Sequence, residues 1–261
     1  MAKAGATSKP HEVAFFPPPD SAIGQRYYYV TQRPWPSLVF IIPMLLFFEI
    51  GTYIRTPHTP TGGTQLVATY LIDLMIKALG STGAYYPGLV TVVLLLAIHM
   101  VGKHPWRFDI YVIPAMLGES LIWTAPLFVF DRVLHTAQLT GGSVQHAVWL
   151  DDLIRSFGAG IYEELVFRLI CITVLAILFI DLFKLPRAMA AGLVILASAL
   201  IFASIHHHPL GAEPFDGAKF TFRTIAGLYL AGLFVFRGFG IAAGCHALYN
   251  VIVVTLAAIG R

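Results

Sequence analysis

The chain alternates long apolar runs with short polar breaks, and most of the runs are too long for strands. A helix crossing the hydrocarbon of a bilayer needs about 20 apolar residues, within a range of about 17–25. Runs of that order lie near 36–54, 85–102, 110–130, 157–183, 187–207, 222–237 and 239–259. Residues 66–80 form a shorter run interrupted by Asp73 and Lys77, which stand one helical turn apart and would pair on one face. The pattern predicts seven or eight spans, and that segment decides which. No period-two alternation recurs, which argues against a membrane β-barrel, and no internal repeat is evident. The expected fold is all-α, a polytopic membrane bundle of 7–8 transmembrane helices.

Three regions follow from the same pattern. Residues 1–35 are a polar, proline-containing N-terminal tail ending in Tyr27, Tyr28, Tyr29 and Trp35, aromatic side chains suited to the membrane–water boundary. Residues 36–109 hold the N-terminal transmembrane helices and residues 110–261 the transmembrane core in which the catalytic candidates lie. The first apolar run starts late, so no cleavable signal peptide is expected.

Composition sharpens this picture. The chain has 261 residues, 57% hydrophobic and 12% charged, where a soluble domain carries about 25% charged residues; mean hydropathy is +0.74. That much apolar surface could not be hidden in one water-soluble core. The net charge of +3 is small and no Lys/Arg cluster resembles a nucleic-acid footprint. Cys171 and Cys245 lie inside apolar runs and read as small buried hydrophobes. Lys103, Arg107, Lys184 and Arg187 flank two short loops. Arg55, Lys77, Arg132, Arg155, Lys219 and Arg223 nearly balance them on the other side, so the positive-inside rule fixes no orientation.

A charge in the middle of a spanning helix costs roughly 2.5–3.5 kcal/mol on insertion scales, so an ionisable group there is a functional candidate by default. Three stretches concentrate such groups. In the first, Glu164 and Arg168 are one turn apart with the acid N-terminal, the better orientation for a pair. Glu163 points about 100° away from Glu164 and is free for chemistry; a purely structural ion cluster is the competing account. In the second, His206 lies one turn beyond Phe202 at the end of its span, a candidate general base or water ligand beside a free glutamate. His207 and His208 read as interfacial and solvated. In the third, His246 and Asn250 share a helix face and could aim two hydrogen-bond donors at one point, as an oxyanion hole requires; interhelical polar contact is the alternative. Consecutive antiparallel spans bring Glu163 and His206 toward one membrane face, with His246 and Asn250 deeper. An intramembrane catalytic cavity is expected there.

Glu163, Glu164 and Arg168 (EExxxR), Phe202 and His206 (FxxxH), and His246 and Asn250 (HxxxN), in that order on successive apolar helices, resemble the CPBP family. These are the CAAX-protease and bacteriocin-processing (Abi) intramembrane proteases, which include the type II CAAX prenyl endopeptidases. The resemblance covers roughly residues 110–259. It implies an intramembrane endopeptidase that hydrolyses a peptide bond near the terminus of a membrane-associated substrate, prenylated CAAX-type tails included. Glu163 and His206 would activate a water, His246 and Asn250 would hold the oxyanion, and Glu164, Arg168 and Phe202 would support the site. Partners are then a peptide or lipidated-protein substrate and membrane lipids, with no nucleic acid. A CAAX substrate is cytosolic. With seven spans and the N-terminus inside, Glu163 and His206 face the other side, and an eighth span removes the conflict. The membrane would be the inner membrane of a bacterial cell or the endoplasmic reticulum of a eukaryotic one.

Zinc is the cofactor to consider, since Glu163, His206 and His246 supply one carboxylate and two imidazoles. There is no HExxH, and Asn250 suits an oxyanion hole better than a ligand set, so the metal-independent mechanism is favoured. Two readings of other classes stand beside it: a proton-coupled transporter with Glu119, Glu163 and the histidines as a relay, and a proteolytically silent immunity or scaffold protein. Glu49, His99 and Glu119 are assigned to helix packing or cavity lining, and Gly51, Gly118, Gly232 and Gly244 to close helix approach.

Overall fold

The computed structural model describes residues 22–55, 66, 68–72, 86–134, 146–208 and 213–259, and helices account for nearly all of them. The elements are α1 (Ala22–Thr31), α2 (Pro34–Arg55), α3 (Tyr86–Val101), α4 (Val112–Trp123), α5 (Ala125–Leu134), α6 (His146–Glu163), α7 (Arg187–Ser204), α8 (Gly217–Arg237) and α9 (Phe239–Ile259). α6 runs on without a break as π-helix over Glu164–Ile172, one α turn, and π-helix again over Ile177–Leu182.

Six of the described helical segments are long and apolar enough to cross a membrane: Pro34–Arg55, Val112–Leu134, Trp149–Leu182, Arg187–Ser204, Gly217–Arg237 and Phe239–Ile259; Pro87–Val101 is a shorter apolar helix. Large apolar side chains such as Phe47, Val93, Ile122, Ile177 and Leu200 point outward, which only a lipid solvent tolerates at this density. The chain is an integral, multi-pass, all-α membrane protein. All seven long runs of the sequence are helices here. The described part of the 66–80 run packs inward through buried Ala68 and Ile72, whereas Asp73 and Lys77 lie outside the described residues.

The break between α4 and α5 and the two ends of α8 have local causes. Val112–Leu134 breaks into α4 and α5 just before Pro126, which has no N–H to give to a preceding carbonyl. α8 starts at Asp216, whose carboxylate accepts from the N–H groups of Ala218 at 2.8 Å and Lys219 at 3.0 Å. It stops at Gly238 (φ +85°), which lets α9 begin one residue later.

α9 is the hub, packed against α6, α2, α4 and α8. Lipid tails are as apolar as leucine, so helices associate through close packing and polar contacts rather than hydrophobic expulsion. The first half of α9 is buried and rich in small side chains (Gly240, Ala242, Ala243, Gly244, Cys245, Ala247). A Cβ on Gly160 of α6 would lie 2.6 Å from the backbone N and Cα of Ala247, so these two helices touch backbone to backbone. Gly51 and Gly244 are close approaches too, against Ile154 and against Ser120 and Phe40. Gly118 and Gly232 are not: nothing lies within 4 Å of a Cβ built on either. Their helices turn those positions away from their neighbours, and nothing in a lone glycine reveals which way it faces.

Candidate active site

The three motif stretches meet. Glu163 ends the α-helical part of α6, Glu164 opens the π segment, His206 lies two residues past the end of α7, and His246 and Asn250 are on α9. One cavity of about 220 Å³ is lined by Glu163, His206, His246 and Asn250 together with Phe202, Arg223 and Tyr249. His206 Nε2 stands 3.7 Å from one oxygen of Glu163, and His246 Nε2 stands 3.8 Å from the other. Both separations exceed a direct hydrogen bond and leave the carboxylate facing the cavity.

The other ring nitrogens are committed. His206 Nδ1 donates to the carbonyl of Phe202 at 2.7 Å, one turn back; a carbonyl can only accept, so Nδ1 carries the proton. His246 Nδ1 meets Glu164 Oε1 at 2.8 Å. Glu164 is fully buried and its other oxygen lies 3.1 Å from Arg168 Nε. The Arg168 guanidinium in turn covers the ring of Phe202 at 4.5 Å, and that ring touches both imidazoles edge-on. Arg168, Glu164 and His246 thus form one buried chain ending at the cavity, and Arg168 and Phe202 link it to His206. The sequence shows the Glu164–Arg168 pair because it is local; the Glu164–His246 contact spans 82 residues and has no local signal.

The placement at the α-to-π transition was also invisible in the sequence. π turns recur at functional sites because the wider turn redirects side chains. Ser198 of α7 donates to the Phe167 carbonyl at 2.7 Å inside this stretch, fastening the helix that leads to His206 against the one that carries Glu163.

Other candidates fall elsewhere. His207 is not solvated: it is buried, its Nδ1 faces the Pro214 carbonyl at 3.1 Å, and its ring packs by Phe215 and Phe220. The chain turns inward there because His208 N and Glu213 N bond across the connection to the carbonyls of Glu213 and His206. His208 is exposed. Glu49 accepts from the Tyr162 hydroxyl and ties α2 to α6. Glu119 belongs to a separate cluster with Arg237, Tyr27 and Trp123. His99 is buried against Trp106, with centroids 4.3 Å apart. Arg223, read from the sequence only as a loop-side charge, stands in the cavity wall.

Among the described residues no group of three His, Cys, Asp or Glu side chains is arranged to hold a metal ion. The Glu163, His206 and His246 trio remains the set that would hold zinc, and no step below passes through a metal.

The chain is a multi-pass helical bundle with an acid–imidazole cavity inside its helices. Residues 145–252 match the family model described as type II CAAX prenyl endopeptidase Rce1-like, in agreement with the motif resemblance. No curated protein and no solved structure matches the chain. The family match supports CAAX-type intramembrane endopeptidase activity and a membrane-associated protein substrate.

Proposed function

We propose that this chain is a glutamic-type intramembrane endopeptidase acting on a CAAX-type or similar membrane-associated tail, with Glu163 as general base. The observation that carries the reading is the Glu163 carboxylate set between two imidazole Nε2 atoms, at 3.7 and 3.8 Å, on the wall of a cavity that Asn250 also lines.

A water held by Glu163 and the lone pair of His206 Nε2 attacks the scissile carbonyl carbon. Its proton passes to Glu163 as the C–O bond forms. The oxygen of the tetrahedral intermediate then accepts from the Asn250 amide and from His246. With Nδ1 turned to Glu164, His246 presents Nε2 to the cavity and donates its N–H from there. Glu163 next hands its proton to the departing amine nitrogen as the C–N bond breaks, giving a carboxylic acid and an amine. Positioned acid–base catalysis contributes about 10²–10⁴-fold, and one oxyanion donor about 10²–10³-fold.

The decisive variant is Glu163→Gln, which keeps shape and loses the base. Its cleavage of a prenylated CAAX peptide is expected to fall by about 10²–10⁴-fold, with an unchanged helical signal by circular dichroism. Turnover equal to wild type would sink the assignment. Wild-type activity is expected to survive exhaustive chelation, and a loss restored by added zinc would replace this mechanism with a metal-dependent one.

A further inference from the structure

Arg223 is a cation whose position the mechanism does not use. It sits on α8 in the wall of the catalytic cavity, with Ala226 and Leu230 below it on the same face. One terminal nitrogen, Nη2, donates to Glu213 Oε1 at 2.8 Å. The other, Nη1, is buried and has no hydrogen-bond partner among the described residues. The side chain is only 12% exposed, and a buried N–H of a charged group left without a partner is unfavourable.

Arg223 is also held in register with the chemistry. Glu213, which grips it, donates its own backbone N–H to the His206 carbonyl at 3.3 Å, and Lys219 braces Glu213 from the other side at 3.3 Å. The guanidinium and the imidazole of His206 are thus fixed to one short connection. The remaining lining beside Arg223 is apolar, from Leu127, Phe222, Ala226 and Leu230.

We infer that Arg223 is the specificity-determining residue that binds the free α-carboxylate at the end of the substrate, so that the enzyme reads a chain terminus rather than an internal peptide. A CAAX tail ends, three residues beyond its cysteine, in that carboxylate, and its two aliphatic residues suit the apolar wall. Guanidinium matches carboxylate by shape and charge. This inference rests on the protease reading above.

The test compares two synthetic farnesylated CAAX peptides, identical except that one ends in a carboxylate and the other in a carboxamide. Purified protein in one detergent cleaves each, and products are followed by mass spectrometry. For the wild type, kcat/KM for the acid is expected to exceed that for the amide by about tenfold or more, mostly through KM. In Arg223→Gln the ratio falls to near one, and Arg223→Lys recovers part of it. A wild-type ratio near one, or a ratio that Arg223→Gln leaves unchanged, overturns the inference while the protease reading stands. If Arg223→Gln does not fold, the wild-type ratio and the Arg223→Lys variant decide. Failure of wild type to cleave either peptide overturns the protease reading and this inference together.

Discussion

Two glutamates in this bundle, Glu119 partly buried and Glu163 buried, are surrounded in opposite ways. Glu119 on α4 is saturated: one oxygen accepts from Arg237 Nε at 2.5 Å and Trp123 Nε1 at 3.1 Å, the other from Arg237 Nη2 at 2.8 Å and the Tyr27 hydroxyl at 2.7 Å. An ionised carboxylate has about four acceptor positions, and here each is filled. The Arg237 guanidinium is itself stacked near Tyr28 and bonded to Thr31, so the cluster clamps α1 onto α4 and α8. Glu163 has the converse arrangement, with imidazole nitrogens standing off at 3.7 and 3.8 Å and a cavity in front. A carboxylate whose lone pairs are filled by protein donors is a fastener. One whose neighbours leave space for water can take a proton.

The sharpest way to break that comparison is to make the same isosteric change at both places. Glu163→Gln is expected to abolish cleavage and leave thermal stability close to wild type. Glu119→Gln is expected to do the reverse. It leaves Arg237 short of a counter-charge, and removing one partner of a buried pair costs up to about 3–5 kcal/mol. Thermal unfolding in detergent, read with turnover of the surviving folded fraction, separates the two. If Glu119→Gln lost turnover as completely as Glu163→Gln with no loss of stability, the distinction between fastener and base would fail, and a relay joining the two acids would gain ground.

A smaller effect probes how the second site is held open. Gly160→Ala would place a methyl group 2.6 Å from the backbone of Ala247, one turn before Glu163 and next to His246. Backbone cannot step aside as a side-chain tip can, so α6 and α9 must separate, at about 1–3 kcal/mol for overpacking. Misplacing reacting groups by about 1 Å can lower the rate about 10²-fold. Gly118→Ala, which meets nothing within 4 Å, is the control and should behave as wild type in both turnover and melting temperature. Equal behaviour of the two variants would show that the helix contact at Gly160 does not set the catalytic geometry.

These cases also show what the sequence could and could not convey. The spans were legible because hydrocarbon demands long apolar runs. Glu163, His206, His246 and Asn250 were conspicuous because ionisable and amide groups are rare inside such runs. Faces of a single helix were legible as well: the i, i+4 rule paired Glu164 with Arg168. Contacts between helices far apart in the chain were not. Nothing local predicts that Glu164 would orient His246, that Ser198 would fasten the π segment, or that Arg223 would turn into the cavity rather than toward the membrane surface. His207 misled for the same reason, since its burial depends on Glu213 bonding back across the connection. The glycines make the point most simply. Gly118 and Gly160 both look like helix-approach positions, and only the packing of α9 decides that one is and the other is not.

The smallest expected effect concerns the clasp that links the two sides of the catalytic cavity. Burial works against the charge of Glu213, but its bonds to Arg223 and Lys219 outweigh this and hold its carboxyl below the usual carboxylate range. A carboxyl with a depressed folded pKa stabilises the fold above the ordinary carboxylate range, and that contribution fades as pH falls through the depressed value. Glu213 is partly exposed, with 39% of its side chain accessible, so solvent screens the pair and the change in melting temperature should be slight. The wild type is expected to lose that increment on acidification, whereas Glu213→Gln should start lower and show a flatter profile over the same interval. Parallel profiles for the two proteins would mean that Glu213 does not brace Arg223 in the folded state, and that part of the cavity wall would then need another support.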